Sequence, residues 1–149
     1  MRKLAVIVFL ALSTSLIAVG KTLLNVDKTG LALQGYDPVA FFTQNRAVKG
    51  TPQFVSTYHG ARYQFASAEN KSAFDANPSK YEPQFGGFCA YAASENHTAP
   101  IEPDAFVILN DRLLLQYNTK IRDKFNQDAQ GRLQKADANW PGLVEKYGK

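Results

Sequence analysis

The pattern of the chain predicts an α+β class: a small single domain of antiparallel β-hairpins packed on short helices, closed by a C-terminal helical segment. Three observations carry that expectation. Two stretches alternate side-chain character about a short turn, as half-buried hairpins do. Capping residues stand directly before short apolar-periodic runs, the mark of a helix start. From Ile121 onward, apolar residues recur at intervals of three or four, which is one face of a helix.

Taken in order, Gly35-Tyr36-Asp37-Pro38 opens a short helix, because Asp37 can cap it and Pro38 suits its first turn. Phe54, Ser56 and Tyr58 then alternate with Val55 and Thr57, and a second alternating run carries Tyr63 and Phe65 beyond His59-Gly60. This is the first hairpin, with His59-Gly60 at its tip. Ser67 offers a second N-cap, Glu69 favours the first-turn dipole, Ala73 and Phe74 face inward, and Asn77-Pro78 stops the run. Gly86-Gly87 permits close backbone approach immediately before an apolar stretch, Phe88 to Ala93. Phe106–Leu109 and Leu113–Tyr117 flank Asn110-Asp111, a good hairpin turn. Ile121, Phe125, Ala129, Leu133, Ala136 and Trp140 form the closing helical face, which Gly131 can break in two and Pro141-Gly142 is expected to end.

The amino terminus reads differently. Arg2 and Lys3 precede an apolar run from Leu4 to Leu12 that continues, diluted by Ser13-Thr14-Ser15, to Val19, with Ala18 and Gly20 at a small-residue cleavage point. That layout is a secretory signal over residues 1–20, leaving residues 21–149 as one mature domain. A membrane anchor needs about 20 predominantly apolar residues, and this run is short and interrupted, so the product is expected not to span a membrane. Losing Arg2 and Lys3 takes the formal charge from +4 to about +2. With basic residues scattered rather than striped, a nucleic-acid partner is set aside.

Cys89 is the single cysteine, so no internal disulfide is available to an exported chain that would ordinarily use one. It is an inert buried thiol, a ligand, a redox group or an intermolecular partner. Gly86-Gly87 beside it can expose the thiol, and N–H groups of a following helix would lower its pKa. The apolar neighbours Phe88, Ala90, Tyr91 and Ala92 fit burial equally well.

Asp37-Pro38-Val39, Tyr58-His59-Gly60-Ala61-Arg62-Tyr63-Gln64-Phe65-Ala66-Ser67 and Phe74-Asp75-Ala76-Asn77-Pro78-Ser79-Lys80-Tyr81 resemble the YHS domain. The chain from residue 21 onward, including Phe85–Ala92 and Ala136-Asp137-Ala138-Asn139-Trp140-Pro141-Gly142, is similar to the exported bacterial branch of YHS domain-containing (seleno)proteins. The resemblance implies a compact hairpin-and-helix fold and a periplasmic home. It brings a departure too. Metal-binding members place cysteines after Asp-Pro-Val and around the Phe-x-Ser strand end, where this chain has Ala40, Ala66 and Asn70. Alanine offers a soft metal no ligand, so that site does not carry over. Some relatives have selenocysteine at the place of Cys89, which hints for them at redox or soft-metal chemistry.

The candidate metal ligands are Cys89, His97 eight residues on, and His59, a low-coordinate set that suits Cu(I) better than zinc. A polar loop around His97 and a hairpin tip at His59 account for both histidines without any ion. Gly87, Phe88 and Tyr91 are the expected ligand pocket, within an aromatic-rich set that more often builds core. No catalytic residue is assigned: a Cys-His pair needs an orienting third group, and Asn96 and Asp104 are near only in sequence. The favoured reading is an exported binding module taking a soft metal ion such as copper, or a small ligand. A thiol redox protein using Cys89 and a non-catalytic interaction domain with a buried cysteine stand as alternatives.

Overall fold

The computed structural model describes residues 20–149. The expected signal peptide, residues 1–20, falls outside the described residues except for Gly20.

Asp37 opens α1 (Pro38–Thr43) as expected, its carboxylate accepting from the Val39 and Ala40 N–H groups. The first hairpin pairs β1 (Thr51–Tyr58) with β2 (Ala61–Phe65), and its two-residue tip has positive φ at His59 and Gly60, the primed turn that matches strand twist. Ser67 caps α2 (Ala68–Ala76), and Pro78 restarts the chain as the single turn α3 (Pro78–Tyr81). A 3-10 turn at Phe85–Gly87 leads into the short α4 (Ala90–Ser94). The second hairpin joins β3 (Glu102–Leu109) to β4 (Arg112–Gln116) across Asn110-Asp111.

Two features of the C-terminal segment differ from expectation. The break lies at Gln127-Asp128 rather than at Gly131, separating α5 (Thr119–Asn126) from α6 (Ala129–Tyr147). Asp128 caps α6 by accepting from the Gly131 N–H, and a Cβ at residue 131 would lie 2.3 Å from the Asp128 carboxylate. Gly131 therefore serves the cap. Pro141 does not end α6, which runs six residues further to Tyr147. Losing one N–H costs the ladder a bond, but Leu133, Ala136 and Leu143 hold the helix on the core.

β4 is the central element. Leu113 and Leu115 enter one core with Phe41, Phe65, Phe74 and Cys89, while Leu114 enters a second with Phe85, Phe125, Leu133 and Leu143. Burial on both faces accounts for its unbroken Leu-Leu-Leu run. The two hairpins, the short helices and the closing α6 make this a mixed α+β domain. No helix among the described residues is long and apolar enough to cross a membrane.

Candidate functional site

Cys89 is 1% exposed and belongs to the first core. It caps α4: Sγ accepts from the Ala92 N–H at 3.4 Å and donates to Oε1 of Gln116 at 3.5 Å. The same Oε1 accepts from the Tyr91 N–H at 3.0 Å, so one fully buried glutamine closes the end of the helix. Burial pushes the thiol pKa up, outweighing the opposing N–H groups of Ala92, Tyr117 and Tyr91. A thiol held protonated is a poor nucleophile and a poor metal ligand.

The glycines beside it do something other than expose it. Gly86 has φ +58, and a Cβ there would lie 1.9 Å from the Leu23 carbonyl oxygen. The Asn25 N–H donates to the Gly86 carbonyl at 2.8 Å, and Asn25 Nδ2 donates to the Gly87 carbonyl at 3.0 Å. Gly86-Gly87 is thus the bed on which the segment Leu23–Asn25 lies. The expected pocket of Gly87, Phe88 and Tyr91 is dispersed accordingly. Gly87 is buried beside Asn25, Phe88 is half-buried, and the Tyr91 ring carries the Arg132 guanidinium at 4.3 Å.

The expected metal ligands are likewise not gathered. His97 is exposed, its Nδ1 3.3 Å from the neighbouring Thr98 carbonyl, and His59 is exposed at the hairpin tip, its Nδ1 3.2 Å from Oε2 of Glu82. Asn96 and Asp104 are exposed as well. Among the described residues no three His, Cys, Asp or Glu side chains are grouped so as to hold a metal ion.

The positions where metal-binding relatives carry cysteine form a different centre. Ala40 and Ala66 each donate a backbone N–H to Asp37, at 3.4 and 2.8 Å, and Asn70 donates its side-chain amide at 2.7 Å. The Val39 N–H adds a fourth bond at 2.8 Å, and Asp37 has no solvent exposure. A carboxylate accepting four donors joins α1, the end of β2 and α2. The residues here do not fit a soft metal: the three positions supply two methyl groups and an amide already committed to Asp37.

Two open grooves lie elsewhere: one of about 770 Å³ along Tyr117–Gln127, drawn from a single stretch of chain, and one of about 540 Å³ to which distant segments contribute, a volume within the range of small-molecule sites. One wall is the amino-terminal segment Lys21–Leu24; the hairpin tip brings His59 and Tyr63, and the loop after α3 brings Glu82 to Gly86. Arg112 from the start of β4 and Asp137, Trp140, Pro141 and Val144 from α6 complete it. Arg112 is bidentate on Asp137, at 2.9 and 2.6 Å, while its Nε donates to Gln84 at 2.9 Å. Trp140 meets Phe85 edge to face with centroids 5.7 Å apart. Burial raises the Glu82 pKa despite the nearby His59, and also raises that of the Tyr63 phenol. Sequence reading missed Glu82, Arg112, Asp137 and Trp140 because three separate segments supply them. The one available signal was Asp137 with the sole tryptophan, Trp140, three residues apart on one helical face.

Residues 40–84 match the family model of the YHS domain. The match covers α1 from Ala40, the first hairpin, α2 and α3; it stops before Cys89 and contributes only one side of the groove. No curated protein and no solved structure matches the chain.

Proposed function

We propose, from the match of residues 40–84 to the YHS family model, that the chain is an exported binding module whose ligand sits in the groove between this matched segment and α6. The observation that carries this reading is the groove itself, where aromatic walls and ion-paired polar groups from five segments converge. Such convergence of a few polar groups on an apolar surface is the ordinary construction of a small-molecule site. The signal-like pattern of residues 1–20 supports export and a periplasmic setting. Copper capture or redox chemistry at Cys89 would need the thiolate to meet its partner, whereas this thiol is enclosed at 1% exposure with its pKa raised. Cys89 is therefore assigned a structural part: it caps α4 and fills the first core.

Trp140, the single tryptophan, reports on the groove directly. The purified protein is titrated with phenethylamine, phenethyl alcohol and hydrocinnamate, small aromatic probes that share a skeleton and differ in charge, while Trp140 emission is followed. Saturable change with at least one probe, weakened in Val144→Gln, a half-buried groove position outside both cores, supports the groove as the site. No response to any of the three contradicts it.

A further inference from the structure

Resting on the groove reading, we infer that the site selects a ligand bearing an ammonium group on a short apolar or aromatic body, with the ammonium on Glu82 and the body against Trp140 and Phe85. Arg112 is matched by both oxygens of Asp137. Lys21 pairs with Glu145 at 2.7 Å. Arg112 and Lys21 are thus each paired with a carboxylate other than Glu82, and the remaining basic side chain of the groove, His59, faces Glu82 itself.

Glu82 is answered less fully. Its side chain is 24% exposed, and its polar partner among the described residues is the imidazole of His59, itself 61% exposed and at 3.2 Å. A carboxylate offers about four acceptor positions, and one histidine nitrogen fills one. Tyr63, the other ionisable group beside it, stays a neutral phenol because burial raises its pKa. Burial likewise raises the Glu82 pKa, with His59 opposing.

An ammonium group supplies what is missing: up to three donors in charge-assisted bonds. The rest of the groove suits the remainder of such a molecule. Trp140 and Phe85 present aromatic surface, and tryptophan is the side chain that attracts cations best. An anionic ligand would meet Glu82 with Arg112 and Lys21 already engaged. A neutral one would leave the carboxylate as it is.

The same probes separate this inference from the reading beneath it. Phenethylamine is expected to bind at least tenfold more tightly than phenethyl alcohol, and hydrocinnamate more weakly than either. Glu82→Gln is expected to lower phenethylamine to the level of the alcohol, and an unchanged urea midpoint shows that the variant is folded. If the alcohol or hydrocinnamate equals the amine, or if Glu82→Gln leaves the amine's advantage intact, the ammonium inference is overturned and the groove stands. If no probe moves Trp140, the groove fails and the inference falls with it.

Discussion

A carboxylate with no solvent exposure is tolerated at Asp37 because four donors from three segments point at it. Removing it strands buried N–H groups of Val39 and Ala66 and the amide of Asn70, each costing about 1–3 kcal/mol when unpaired. Asp37→Ala is therefore expected to lose on the order of 3–5 kcal/mol in urea unfolding. The wild-type midpoint should be the same with and without a chelator, since Ala40, Ala66 and Asn70 give a metal nothing to hold. A second residue-scale prediction concerns Cys89. Burial holds the folded thiol's pKa above its ordinary value of 9.0, so the unfolded chain releases the proton first. The stability tied to this group is complete below that pH and is lost as pH rises toward the folded value. Wild type should lose stability in alkaline solution more steeply than Cys89→Ser, and a chromogenic thiol reagent should react at the unfolding rate. Rapid reaction of the folded protein would contradict the structural assignment of Cys89.

Local chemistry made most elements legible. Asp37-Pro38, Ser67 and the two-residue hairpin turns each encode a start or a reversal within a few residues, and the structure places α1, α2 and both hairpins where those signals lie. The errors arose where the deciding partner is distant or the local signal is ambiguous. Gly131 reads equally as a helix breaker or as space for a cap, and only Asp128 reaching over it decides. Pro141 reads as a stop, yet α6 continues because Leu143 is buried one turn beyond Asn139. Gly86 reads as freedom for the thiol, while its role is to let Leu23 pass. The two glycines thus predict opposite outcomes. Gly86→Ala combines positive φ with a backbone clash and should cost more than about 2 kcal/mol. Gly131→Ala trades the Asp128 cap for better helix propensity, two effects of about 1 kcal/mol each, and should leave the urea midpoint nearly unchanged.

The segment at Thr22 and the last residue, Lys149, meet beside the groove. Thr22 and Lys149 exchange two backbone hydrogen bonds of 2.9 Å, which holds the amino-terminal wall beside the end of α6. Between them lie the first hairpin and β4, whose buried Leu113–Leu115 run locks the two cores together. The candidate site is thus a property of the whole chain, and this is why it was not legible from any motif. Its residues span Lys21 to Val144, and no local pattern ties Glu82 to Arg112 or Trp140. The central claim, that ligand binding belongs to this groove and not to Cys89, is tested most directly by backbone amide NMR during a phenethylamine titration. The account predicts saturable shifts concentrated at His59, Glu82–Gly86, Arg112 and Asp137–Val144. Shifts centred on Cys89 and His97, or none at saturating probe, would contradict it.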